Sequence, residues 1–196
     1  MSWKRKFAGN WGRLGMKSNL SIIADYVKDK VPVNSLTVKN YISTENMQPN
    51  KGGKVDAASL PTVAQTQSYI TGDVLVSNIR PYFKKIWFAR ENGGCSNDVL
   101  VIRAKEGTDA KFLYYVLSDD KFFDYSMATS KGTKMPRGDK DAIMKYQVPI
   151  FDLETQKKIA DILGNIDDKI ALNNKINDNL AAKIWMLDTL ILPDMS

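Results

Sequence analysis

The chain has 196 residues, 43% of them hydrophobic and 10% aromatic, with a formal net charge of +6; this suits one folded domain, or one domain plus an extension. There is no histidine and a single cysteine, Cys95, which excludes Ser-His-Asp and Cys-His catalysis, an internal disulfide, a histidine-ligated zinc site and a thiolate cluster within one chain. No apolar run approaches the roughly 18 residues of a membrane span, and Met1-Ser2-Trp3-Lys4-Arg5-Lys6 lacks a signal-peptide core, so no membrane partner is expected and the cytoplasm is the expected compartment.

Residues 1–151 are read as a mixed α+β domain. Leu20 to Val27 fits either a short helix or a strand and ends before Pro32. Leu36 to Ile42 alternates as a strand does. Asn46 to Leu60 is polar, holds Pro49, Gly52 and Gly53, and is predicted to be a loop. Thr71-Gly72-Asp73 turns into Val74-Leu75-Val76, a buried strand. Lys85 to Arg90 is a further strand; Glu91-Asn92-Gly93-Gly94 is expected to turn the chain and Asp98 to Arg103 to return it as a hairpin. Asp109 is a candidate N-cap for a helix with Phe112, Tyr115 and Val116 on one side. A second helical piece covers Phe122 to Met127, residues 128–138 are a polar loop, and Lys145 to Ile150 is a short strand.

Residues 152–196 are predicted to be one long helix. Asp152 and Glu154 suit the positive end of its dipole, and Pro193 lies beyond its end. An apolar stripe runs along it at alternating spacings of four and three: Ile159, Leu163, Ile166, Ile170, Asn173, Asn177, Leu180, Ile184, Leu187, Ile191. Such a stripe is a coiled-coil seam, and at about 1.5 Å rise per residue the helix is roughly 55–60 Å long. No second heptad run precedes it, so the seam calls for a partner helix. Asn173 and Asn177 occupy seam positions, where a buried amide selects the register that pairs it; the alternative is a solvated gap. An antiparallel pair brings the asparagines of one helix opposite those of its twofold mate, and a parallel pair also aligns them.

The charge is unevenly spread. Residues 1–151 carry 23 Lys/Arg against 14 Asp/Glu, whereas residues 152–196 carry 5 against 8. A basic domain points to a phosphate polymer or an acidic partner. Ser77, Asn78, Arg80, Tyr82, Lys84 and Lys85 follow the buried strand and alternate polar groups with rings. Arginine and asparagine make bidentate contacts to guanine and adenine edges, and lysines hold phosphates. The alternative is that Asn78 and Arg80 fix the turn. Lys131, Thr133, Lys134 and Arg137 lie on a glycine-containing basic loop suited to phosphate contact, and Lys51 and Lys54 flank Gly52-Gly53 as a further candidate. Trp3, Trp11, Trp87 and Trp185 are read as packing residues, and Cys95 as a small buried residue.

Four stretches together carry a resemblance. They are Tyr41-Ile42-Ser43-Thr44-Glu45-Asn46-Met47; Gly72-Asp73-Val74-Leu75-Val76-Ser77-Asn78-Ile79-Arg80-Pro81-Tyr82; Gly94-Cys95-Ser96-Asn97-Asp98-Val99-Leu100-Val101; and the set Lys131-Gly132-Thr133, Val148-Pro149, Leu153 to Leu163 and Asp167-Asp168-Lys169-Ile170. In this order the chain resembles the DNA-specificity subunit of type I restriction-modification systems. The resemblance implies a target recognition domain reading half of an interrupted site in the major groove of double-stranded DNA, and a spacer helix. Full-length members carry two of each, their helices packed antiparallel. Modification subunits docked on this scaffold supply the adenine methyltransferase, and a restriction subunit adds cleavage. This chain carries one recognition domain, 1–151, and one helix, 152–196. The resemblance therefore implies a half-subunit, either natural or a fragment, that recovers its mate helix by homodimerising and reads an interrupted palindrome.

Catalytic signatures are absent: there is no Gly-x4-Gly-Lys-Ser/Thr loop, no Asn/Asp-Pro-Pro-Tyr/Phe run and no lysine-spaced acidic cluster. No catalytic residue, metal site or cofactor is expected, and the chain reads as non-enzymatic. Two alternatives stand beside the specificity half-subunit. One is a dimeric DNA-binding regulator without a methyltransferase; the other is a non-catalytic coiled-coil scaffold whose basic domain binds an acidic protein.

Overall fold

The computed structural model describes residues 16–191, with side chains through residue 181. Trp3, Trp11 and Pro193, and the side chains of Ile184, Trp185, Leu187 and Ile191, lie outside the described residues. Internal contacts divide the chain into two compact units, Met1–Lys157 and Lys158–Ser196.

In the first unit, β1 (Met16–Asn19) pairs antiparallel with β10 (Gln147–Ile150). A four-stranded antiparallel sheet has the order β2-β9-β6-β7, built from β2 (Ala24–Tyr26), β9 (Val99–Ala104), β6 (Val74–Ser77) and β7 (Ile86–Phe88). A second sheet has the order β3-β5-β8-β4, built from β3 (Lys30–Pro32), β5 (Gln65–Tyr69), β8 (Gly93–Cys95) and β4 (Tyr41–Ile42), with β4 and β8 parallel. Every residue of β6 is buried, as its unbroken apolar run Val74-Leu75-Val76 requires. One core cluster takes Leu75, Val99 and Val101 from the first sheet and Ile42, Tyr69 and Cys95 from the second. Truncating a fully buried leucine such as Leu75 costs about 2–5 kcal/mol.

Among the described residues this unit also holds three short helices: α1 (Ala110–Leu117), α2 (Asp120–Ala128) and α3 (Lys140–Met144). Each starts on an aspartate whose side chain accepts from the first turn: Asp109 from Phe112 N, Asp119 from Lys121 N, Asp139 from Asp141 N and Ala142 N. These caps satisfy donors that helix geometry leaves free. Helix α1 buries Phe112, Leu113, Val116 and Leu117 and lies against β6, β7 and β9. The long helix α4 runs from Leu153 to Ile191. Asp152 caps it, its two carboxylate oxygens accepting from Thr155 N at 2.9 Å and Thr155 Oγ1 at 2.7 Å. Those bonds hold the Asp152 carboxyl below its ordinary value. Buried Gln156 ties the start of α4 to the loop before α1: its side chain accepts from Asp109 N and donates to Gly107 O and Phe151 O.

In the second unit α4 exposes a wider apolar strip than the ten-position stripe. Ile162, Ile170, Leu172, Ile176 and Leu180 are all exposed, and so are Asn173 and Asn177. Ile176 follows Asn173 by one turn and precedes Leu180 by one turn. The apolar line therefore continues past the two amides on their flank.

Three sequence expectations are corrected. The hairpin through Glu91–Gly94 does not form: β7 pairs with β6, β9 pairs with β6 and β2, and Gly93-Gly94 is itself the buried strand β8. These glycines serve space rather than a turn. A Cβ on Gly93 would stand 2.1 Å from Asn40 O and 2.5 Å from Tyr69 Oη, and one on Gly94 2.6 Å from Leu36 Cδ1. Secondly, Leu36 to Ile42 is not a continuous strand, since only Tyr41–Ile42 pairs. The Asn40 side chain accepts from Thr37 N at 2.6 Å and Asn40 N donates to Thr37 O, closing a side-chain-mediated turn. Thirdly, Leu20 to Val27 is neither one helix nor one strand: a 3-10 turn, Leu20–Ile22, leads into β2.

Candidate nucleic-acid interface

The three sequence stretches proposed to face DNA come together. β6 ends at Ser77, whose hydroxyl donates to Ile79 O at 3.0 Å and bends the chain out of the sheet. A single 3-10 turn, Pro81–Phe83, follows. Ile79 and Arg137 form an isolated antiparallel bridge; Arg80 N donates to Pro136 O at 2.8 Å and Gly138 N to Asn78 O at 3.1 Å. Lys131 and Arg137 bridge each other, so the basic loop is a small hairpin laid along residues 78–80. On the other side Asn50 N donates to Phe83 O at 2.8 Å and Lys51 N to Lys84 O at 2.9 Å. Loops 47–54, 78–84 and 131–138 are thus laced side by side through main-chain bonds.

Backbone strain gathers at the same place. Among the described residues the non-glycine positive-φ positions are Asn50 (54°), Lys51 (63°), Arg80 (50°) and Lys84 (51°). Each costs about 1–3 kcal/mol and persists only where its surroundings hold it, as at binding sites. Buried Asn46 organises the 47–54 loop from behind: its Oδ1 accepts from Ser43 N at 2.7 Å and its Nδ2 donates to Tyr41 O and Val55 O.

Pairing decides which cations are available. Lys51 Nζ lies 2.6 Å from Asp120 Oδ1 and Lys84 Nζ 3.1 Å from Asp120 Oδ2. Burial alone would raise the Asp120 carboxyl, but hydrogen bonds from these two lysines hold it below its ordinary value. Lys54 Nζ sits 2.9 Å from Glu91 Oε1, donates to Lys39 O and lies over the Trp87 ring at 5.3 Å. Lys85 Nζ donates to Thr44 O at 2.6 Å; burial pushes its ammonium below the ordinary lysine value, with Glu45 opposing. Lys131 pairs with Asp139 at 2.7 Å and Arg137 with Asp98 at 3.0 Å, both cations being more than half exposed. Arg80, Thr133 and Lys134 are exposed, and among the described residues no ion pair engages Arg80 or Lys134.

The remaining candidates divide between surface and support. Tyr82 is exposed on the 3-10 turn, beside Phe83, which the sequence reading left out. Ser77 and Asn78 are buried, and the Asn78 Oδ1 has no hydrogen-bond partner among the described residues. A Cβ on Gly138 would approach that oxygen to 2.8 Å, so the glycine lets the basic hairpin pack against Asn78. Sequence reasoning also missed the counter-ions Asp98, Asp120 and Asp139, of which Asp98 and Asp120 stand far along the chain from the cations they neutralise.

The profile for the type I restriction modification DNA specificity domain matches residues 23–182. The chain belongs to this family. Among curated members, it is 32% identical to the specificity subunit of the type I restriction enzyme HindI from Haemophilus influenzae and 30% identical to that of EcoDI from Escherichia coli. Each alignment covers 60% of this chain and 28% of the relative, so the chain spans well under half the length of these specificity subunits. The fold matches the HsdS subunit of Thermoanaerobacter tengcongensis with a TM-score of 0.63 at 18% identity, covering 94% of this chain and 51% of that one. A type I restriction-modification S subunit from M. genitalium matches with a TM-score of 0.55 at 20% identity, over 88% and 46%. The match takes in both β6 with its following turn and the first part of α4, and the laced loops lie within this specificity-domain region. No helix among the described residues is long and apolar enough to cross a membrane.

Proposed function

We propose that this chain recognises a short half-site in duplex DNA, as the specificity half-subunit of a type I restriction-modification complex. The observation that supports it is the convergence of loops 47–54, 78–84 and 131–138 on one strained, cation-rich surface within a specificity-family domain. In this reading Arg80 and Lys134 take phosphates or base edges directly. Lys131 and Arg137 exchange a partly exposed carboxylate for phosphate at little cost, because ion pairs of solvent-exposed cations are weak. Thr133 adds a hydroxyl, and Tyr82 a ring. Lys51, Lys54, Lys84 and Lys85 shape the loops and raise the local potential. The domain boundary near residue 151 separates this reader from the spacer helix.

The helix supplies the second half of the proposal. Its exposed strip of Ile162, Ile170, Leu172, Ile176 and Leu180 favours packing against a second helix. The mate is the same helix of a second chain, so that a twofold dimer presents two readers to an interrupted palindrome and offers a platform to modification subunits, and to a restriction subunit where one is present. The methyltransferase chemistry belongs to those partners, and this chain supplies no catalytic residue. Co-expression with a candidate modification subunit, followed by mapping of methylated adenines, tests the whole. A symmetric interrupted site is the expected result. An asymmetric site would refute the homodimer, and a gel shift without binding to any duplex would refute DNA recognition.

A further inference from the structure

Charge does not account for the tip of the proposed interface. Tyr82 and Phe83 stand exposed there, at 49% and 39%, with ring centroids 4.7 Å apart and planes tilted by 51°. A single exposed ring is ordinary. These two are held by unusual means. The residues flanking the turn, Arg80 and Lys84, are both in the left-handed region, which disfavours any side chain bearing a Cβ. One carboxylate, Asp120, bridges Lys51 and Lys84 from the two adjacent loops, behind the turn that carries the rings. Lys85 Nζ lies 5.7 Å from the Phe83 centroid while anchored on Thr44 O. An acidic group inside a cation cluster repels phosphate, so Asp120 weakens DNA binding unless it does something else there.

We propose that Tyr82 and Phe83 contact bases of duplex DNA, and that Asp120 is the positioning residue that holds them by clamping Lys51 and Lys84. This rests on the DNA-recognition reading above. Two apolar faces set among cations suit a ligand that is anionic outside and apolar within, and duplex DNA offers phosphates beside base edges, and base faces where a step is unstacked. An apolar protein surface would leave Arg80 and Lys134 unpaired.

The test uses the full chain and a pool of duplex DNA with a randomised central segment. Repeated selection yields the preferred motif, and binding to the unselected pool is measured across salt. Y82A/F83A should bind the unselected pool with the wild-type salt slope, yet lose about ten-fold or more in affinity for the selected motif. Y82L/F83L, which keeps apolar bulk without aromatic faces, guards against a loss of folding and should show the same loss. D120N removes one negative charge from the cation cluster, so simple electrostatics expects tighter binding. Positioning expects weaker binding to the motif, restored by D120E. Wild-type motif affinity in both ring variants would overturn the proposal, as would tighter motif binding by D120N. Retained motif affinity with lost binding of a modification subunit would assign the rings to a protein contact, and also overturns it. Failure of the wild-type chain to bind any duplex overturns the DNA reading itself.

Discussion

The pairing pattern makes a quantitative prediction about salt. Duplex binding weakens with a log–log slope of about 0.9 for each phosphate contact, because counterions are released. Among the described residues Arg80 and Lys134 have no carboxylate partner, so both are free to take phosphates, whereas Lys54 is held by Glu91, Lys39 O and the Trp87 face. The variant R80Q/K134Q should therefore lower the slope by about 1.8 per chain. Between 50 and 200 mM salt, a four-fold change, the wild type should lose about twelve-fold more of its affinity than the variant. K54Q removes the same charge per site from a neutralised position and should leave the slope within about 0.3 of wild type. Fluorescence anisotropy with a labelled random duplex, titrated at five or so salt concentrations, measures all three. An equal change from K54Q and from one of the two free cations would refute the argument that pairing decides phosphate contact. So would an unchanged slope in R80Q/K134Q.

Three further outcomes are expected. Asp73 is 1% exposed and accepts from Arg103 at 2.7 and 2.8 Å and from Ile70 N at 2.8 Å; because Arg103 is partly exposed, D73N should cost about 2–3 kcal/mol, less than a fully buried pair, and lower the melting temperature by about 5–10 °C. Burial pushes the Cys95 thiol up to about 12, so Cys95 should resist alkylation in the native protein and react once denatured. The unfolded thiol ionises nearer 9.0, so its contribution to stability is constant below that pH and falls as pH rises towards 12, which denaturant titrations at pH 8 and 10 would detect. N173L/N177L should strengthen self-association but loosen register or stoichiometry, read by sedimentation equilibrium and native mass; unchanged mass and geometry would remove the asparagines from register selection.

Legibility in the sequence followed the range of the interaction. The cap at Asp109, the acidic start at Asp152, the buried run at Val74–Val76 and the long helix were readable because each depends on neighbours within a turn or two. The sheet β3-β5-β8-β4 was not, since its pairings join residues as distant as Tyr41 and Gly94. Gly93-Gly94 misled for a physical reason: a glycine pair looks the same whether it supplies positive φ or empty space, and only the positions of Asn40 O, Tyr69 and Leu36 decide which. Leu36–Ile42 misled because one side chain, Asn40, competes with the strand for its own backbone.

The interface shows the same division at the level of charge. Composition counted an excess of lysine and arginine and located the stretches that carry it, and those stretches do meet. It could not count free cations, because the neutralising carboxylates Asp98, Asp120 and Asp139 come from a β8–β9 turn, a helix start and a helix cap that are distant in sequence from many of their partners. What the fold adds is a graded surface. Arg80 and Lys134 are available at once, Lys131 and Arg137 are exchangeable, and Lys51 and Lys84 are committed to Asp120. In the proposed DNA reading a surface of that kind limits non-specific affinity, which grows with the number of phosphate contacts, while main-chain bonds hold the turn proposed to face the bases. Discrimination between sites is the difference of two affinities, so restraining the unspecific one sharpens recognition as surely as adding a base contact does.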